Sequence, residues 1–78
     1  MATAVDIKGR MAAFLRQPVE RLEDIAVLTD LVTESFILVE MVIELQEQLG
    51  VRITQDDLKE VKTVGDLTAV FAAKTQPL

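Results

Sequence analysis

Apolar positions along the chain recur at three- and four-residue spacing and hardly ever alternate with a period of two, which predicts helices. From Thr3 to Arg16, the residues Ala4, Ile7, Met11, Phe14 and Leu15 fall on one face. Thr3 followed by Asp6 is a capping-box start with Asp in place of the usual Glu, and Pro18 is expected to stop the helix near Gln17. A connection from Gln17 to Glu34 follows. A structureless loop of that length is unusual in a small domain. Leu22, Ile25, Leu28 and Leu31 recur every three residues within it, so these side chains are expected to pin the loop to the core through a short helical turn.

The second helix is predicted over Ser35 to Leu49, with Gly50 as its left-handed C-terminal cap. Leu38, Met41, Val42, Leu45 and Leu49 form one apolar face; Glu40, Glu44 and Glu47 form a narrow stripe opposite it. Phe36, Val39 and Ile43 flank the stripe on one edge, and Ile37, expected to be exposed, flanks it on the other. The apolar arc is far wider than the roughly 100° needed to cover a core; the surplus must meet a neighbour or be left for a partner. Thr54 with Asp57 opens a short helix carrying Leu58 and Val61, and Thr63 with Asp66 opens a last helix, Val64 to about Lys74, that buries Val64, Leu67, Val70 and Phe71. The predicted fold class is all-α: a small bundle of three main helices plus one short helix, with a long first loop. Residues 1–78 read as a single domain with 75–78 as a frayed tail; the opening Met1 and short tail suggest a stand-alone protein, and an excised domain would look similar.

Composition narrows the function. A chain of 78 residues buries only about 60–65 % of its unfolded surface, enough for one modest core and no enclosed active-site cavity. It has no Cys, His, Trp or Tyr. Disulfides and thiolate metal sites are excluded, and the usual general base is missing. No apolar run approaches the roughly 18 residues of a membrane span, and the first ten residues are no secretory signal, so the expected location is the cytoplasm. The net charge of −5 repels nucleic acid and anionic membranes and favours partners with basic patches. Between Leu22 and Val51 there is no Lys or Arg, yet Glu23, Asp24, Asp30, Glu34, Glu40, Glu44 and Glu47 lie there. An acidic docking surface in the middle of the chain is the expectation.

Ser35 is the only serine. Serine is a favoured N-cap, which is the plain explanation for its position. Three features add to it. A helix start offers unpaired N–H groups and partial positive charge to a phosphate ester. An apolar Phe36 and acids one and two turns on follow the serine, and an enzyme modifying it could grip both. Finally, Glu40–Glu44 and Glu44–Glu47 are like-charge neighbours, each unfavourable by roughly 0.2–0.5 kcal/mol with no cation nearby in sequence. A binding surface accounts for such a stripe beside exposed apolar residues.

The stretch from Thr33 through Glu34-Ser35-Phe36-Ile37-Leu38-Val39-Glu40 to Val51 resembles the second helix of acyl carrier proteins, which opens on Asp-Ser-Leu or Asp-Ser-Phe. Ile53-Thr54-Gln55-Asp56-Asp57-Leu58 and Thr63-Val64-Gly65-Asp66-Leu67 resemble that family's third and fourth helix starts. The resemblance implies a non-catalytic carrier with 4′-phosphopantetheine on Ser35, added from coenzyme A by a phosphopantetheinyl transferase. It implies partner contacts at Glu34, Phe36, Ile37, Val39, Glu40, Ile43, Glu44 and Glu47. The expected partners are that transferase, an acyltransferase or ligase, a ketosynthase and other synthase enzymes, met by a monomer. The chain departs from the pattern with Glu34 in place of Asp, no glycine shortly before the motif, and the more apolar Ile37 and Leu38. Polyketide or fatty acid synthesis is implied, and the Glu34-Ser35-Phe36-Ile37 opening inclines the reading to the polyketide type. An acyl chain is expected to slip between helices where Ala69, Ala72 and Ala73 leave room.

Two alternatives stand beside this reading. An aminoacyl or peptidyl carrier would share the serine, but the acidic second helix favours acyl cargo. An acidic helical interaction module without a prosthetic group would use the same face and tolerate Ser35→Ala. Catalysis has no support: no carboxylate pair sits in an evident cleft, and Asp56–Asp57, lacking the spacing and glycine of a calcium loop, reads as first-turn helix chemistry.

Overall fold

The computed structural model describes residues 3–32 and 34–75. Their elements are α1 (Ala4–Leu15), a 3₁₀ turn (Val19–Arg21), α2 (Leu28–Leu31), α3 (Ser35–Leu49), α4 (Gln55–Leu58) and α5 (Val64–Thr75). The three long helices are the predicted ones, and the second begins and ends where the apolar period does. The last helix runs one residue beyond Lys74; the rest of the predicted frayed tail, residues 76–78, lies outside the described residues. None of these helices is long and apolar enough to cross a membrane.

Several helix boundaries have a local cause. Thr3 Oγ1 accepts the Asp6 N–H at 3.2 Å, but the Asp6 carboxylate takes Arg10 Nε at 3.1 Å, so only half of the predicted box forms. The helix stops at Leu15, earlier than Pro18 requires. Arg16 turns into the left-handed region at φ 57°, and its N–H closes on Ala12 and Ala13 carbonyls. Gly50, at φ 67°, caps α3 as its sequence position predicts. At α4 the box is complete, since Thr54 Oγ1 accepts the Asp57 N–H while Asp57 Oδ2 accepts the Thr54 N–H. At α5, Thr63 Oγ1 accepts the Asp66 N–H, and Asp66 Oδ2 accepts the N–H groups of Thr63 and Lys62.

These bonds hold both carboxyls below the ordinary aspartate range. The Thr54 backbone N–H is the main cause for Asp57, and the Lys62 and Thr63 N–H groups for Asp66. A depressed folded value means stability that is complete above the unfolded value of about pH 3.9 and is lost as pH falls through the folded one. Asp57→Asn and Asp66→Asn are therefore expected to melt below the parent chain at pH 7. The gap should narrow as pH falls from the unfolded value through the lower folded ones, as the parent's own carboxyls become protonated. Circular-dichroism melts across that range check this; a gap that stays constant with pH would show that charge plays no part.

The core joins all three long helices: Ile7 and Met11 from α1, Met41 and Leu45 from α3, and Val64, Leu67 and Phe71 from α5 are fully or almost fully buried. Phe14, Leu15, Leu38, Val42, Leu49 and Val70 pack against them half-buried, whereas Ala4, expected on the same face, is exposed. Thr68, not expected inside, is buried with its hydroxyl donating to the Gly65 carbonyl at 3.0 Å.

The long loop is pinned as predicted by Leu22 and Leu28, both buried, and by half-buried Leu31. Ile25 is not: it is 81 % exposed. The period of three fails there because the chain turns at Asp24-Ile25 instead of continuing a helix. The loop is also fastened through its backbone. Leu28 N–H donates to Lys62 O, Val64 N–H to Ala26 O and Gly65 N–H to Asp24 O, each at 2.9 Å, a short bridge between Val27 and Thr63. Gly65 eases this approach, since a Cβ there would lie 3.0 Å from Asp24 O and the loop would have to give by a few tenths of an ångström. Lys8 of α1 pairs with Asp24, and Gln17 Nε2 donates to Leu31 O at 2.9 Å. The loop thus delivers the chain to the start of α3 from a fixed position.

Candidate functional site

Ser35 is the first residue of α3 and is exposed. It is not the N-cap. That place belongs to Glu34, in extended conformation (φ −126°, ψ 125°), and the Glu34 side chain makes no capping bond. Among the described residues no protein group bonds the Ser35 hydroxyl. The contrast with α1, α4 and α5 is consistent. Each of those helices has a threonine hydroxyl on the N–H of an aspartate three residues on, and an acid in its first turn. The first turn of α3 has neither a side-chain cap nor an acid. Ile37 N–H turns back to Glu34 O at 3.1 Å, while Ser35 and Phe36 N–H groups lie at the position where a helix has no internal acceptor. The positive end of the longest helix is left for an outside anion, next to an unengaged hydroxyl.

A half-apolar surface runs from this point along α3. Phe36, Val39 and Ile43 are 55 %, 58 % and 49 % exposed, a large apolar display for helix residues with a core available. Glu34, Glu40, Glu44 and Glu47 are exposed as expected. Ile37 differs: it is half-buried, because its edge of the helix turns toward α1. Glu44 also leans that way. Its Oε1 accepts Gln48 Nε2 at 3.2 Å, and Gln48 Oε1 accepts Arg10 Nη1 of α1 at 2.9 Å.

The opposite edge of α3 borders an apolar groove of about 280 Å³. Val39, Val42, Ile43 and Gln46 form one wall, and Ile53, Leu58 and Val61 the other, with Leu28 and Leu67 among its further lining residues. Gln46 fixes its width by accepting the Ile53 N–H at 2.9 Å. None of Ala69, Ala72 and Ala73 lines this space, so the room expected beside those alanines lies instead against α4. The helix-wheel reading did not group this wall, although residues 39, 42, 43 and 46 stand at i, i+3, i+4 and i+7 along one stripe of the helix.

The residues present suit a phosphate ester at Ser35: the residue is exposed, its hydroxyl has no bond among the described residues, and it stands on a helix start whose first N–H groups have no internal acceptor. A comparison with protein families matches residues 5–71 to the phosphopantetheine attachment site model. Among curated proteins, the chain is 44 % identical over 46 residues to an acyl carrier protein of Acidothermus cellulolyticus, a match covering 59 % of this chain. The match spans 55 % of that relative, about half of its length.

Proposed function

The chain belongs to the phosphopantetheine attachment site family, and from that premise we propose that it is a carrier, not a catalyst, bearing 4′-phosphopantetheine on Ser35 Oγ and passing acyl groups between enzymes of polyketide or fatty acid synthesis. The observation that carries the assignment is the start of α3: the one serine stands exposed at the one long-helix start with no side-chain cap and no first-turn acid.

When bound, the group supplies a thiol on a long flexible arm that holds acyl cargo as a thioester. The chain's own residues do the rest. The Ser35 hydroxyl is the attachment nucleophile, and the base that takes its proton belongs to the transferase. The α3 N-terminus stabilises the resulting phosphodiester. Glu34 sets the charge beside it. Phe36, Val39 and Ile43 offer partners a shallow apolar contact, while Glu40 and Glu47 steer basic patches toward it. Such docking is weak and salt-sensitive, as repeated release and redocking require, and tethering supplies the effective concentration. The groove between α3 and α4 shelters an apolar chain. The acidic α3 favours acyl over aminoacyl cargo, and the Glu34-Ser35-Phe36-Ile37 opening favours a polyketide-type synthase. The partners in this reading are a phosphopantetheinyl transferase, a loading acyltransferase or ligase, and a ketosynthase, met by a monomer in the cytoplasm.

The test is intact mass after incubation with coenzyme A, magnesium and a broad-specificity phosphopantetheinyl transferase. One added phosphopantetheinyl group, located on the Ser35 peptide, is expected. A folded, unmodified chain that gains no mass with any of several transferases would favour the interaction module.

A further inference from the structure

The acidic face of α3 is not electrically uniform. It carries three glutamates and no base of its own, yet a cation reaches it from another helix. Arg10 of α1 is fixed on one side by Asp6, through Nε to Oδ2 at 3.1 Å. On the other side Nη1 donates to Gln48 Oε1 at 2.9 Å, and Gln48 Nε2 donates to Glu44 Oε1 at 3.2 Å. The amide of Gln48 works as a relay because it accepts at one end and donates at the other. Glu40 and Glu47 have no such partner among the described residues.

We infer that Arg10 sets the direction of docking: it pairs with Asp6 and through Gln48 engages Glu44, which offsets the acid charge of the α1 edge, so that basic partners approach along Glu40 and Glu47 and the apolar residues beside the groove. Glu44 is then a residue held by the chain itself, and Arg10 is a positioning residue that acts without touching the partner. The physical basis is ordinary. A partner lysine or arginine arriving at the α1 edge meets the Arg10–Asp6 ion pair, which has no net charge to attract it, whereas one arriving at Glu40 or Glu47 meets an acid with no competing cation. The acyl-carrier reading enters only through the choice of partner.

The test uses the same transferase with two readouts. The first is the rate of Ser35 modification as kcat/KM across a salt series. The second is affinity, by NMR titration on the Ser35→Ala background, which cannot be modified. Glu40→Gln and Glu47→Gln should each cost about 3- to 5-fold in both, the scale of one exposed charge pair. Glu44→Gln should cost less than about 1.5-fold, by the same scale for a pair already engaged. In an Arg10→Gln background, Glu44→Gln should become as costly as Glu47→Gln, and the salt slope should steepen. A merely structural role for Arg10 would shift melting and leave the salt slope and this coupling unchanged. Equal losses for Glu44 and Glu47 in the parent chain, or a Glu44 effect that ignores Arg10, would overturn the inference, as would no binding at low salt. Binding with this pattern but no Ser35 modification would retain it and overturn the carrier reading.

Discussion

Ser35→Ala is expected to gain no phosphopantetheinyl mass under conditions that convert the parent chain fully, and to melt within about 4 °C of it. The two halves of this result come from one geometry. In the proposed reading the hydroxyl is the attachment point, so its removal leaves no nucleophile, and the hydroxyls of Thr3, Thr54 and Thr63 at other helix starts are engaged as caps. The same hydroxyl supports no hydrogen bond within the described residues, and Glu34, not Ser35, holds the cap position. Had Ser35 been the cap, alanine would have cost about 1 kcal/mol, a fall of about 4–8 °C in a domain of this size. A variant that still gains the mass would move the attachment elsewhere. A variant that unfolds would return Ser35 to the fold.

Phe71→Ala is expected to remove about 3–5 kcal/mol of stability. Phe71 lies in the middle of α5 with no exposed surface and is the largest fully buried side chain. Its ring shares the core with Ile7, Met11, Met41, Leu45 and Leu67, so truncation leaves a cavity bounded by all three long helices. A 78-residue chain at about 0.05–0.15 kcal/mol per residue holds roughly 4–12 kcal/mol in all. The variant therefore loses a large share of its stability, and the urea midpoint should drop steeply with an unchanged slope. A loss below about 1 kcal/mol would mean that the helices close over the space, and that the core is looser than its burial indicates.

The long helices were legible in their local causes: apolar spacing for the bodies, Thr-x-x-Asp for the starts of α1 and α5, Gly50 for the end of α3. The stop of α1 was not, because Arg16 adopts a left-handed turn that glycine usually takes, and the sequence offers Pro18 as the more obvious breaker. The loop was legible in Leu22, Leu28 and Leu31 but not in its backbone bridge to Lys62 and Val64, which involves N–H and C=O groups that every residue carries. For the site, the position of Ser35 and the exposure of Phe36, Val39 and Ile43 followed from the helix wheel. The cap identity did not, since Glu34 and Ser35 differ there by a single residue of register. Nor did the link between Arg10 and Gln48, whose members stand 38 positions apart and show no sequence period.

Because Ser35 makes no capping bond among the described residues, folding asks little of its side chain. Mutation at this position would not be caught by the cellular machinery that removes misfolded chains, which responds to stability. A copy of the gene that lost the serine would be expected to yield a folded protein with its acidic and apolar face intact. If Ser35 carries the arm as proposed, such a protein would occupy the same partners and deliver nothing, and selection at Ser35 would then act through competition among carriers and not through the survival of the fold.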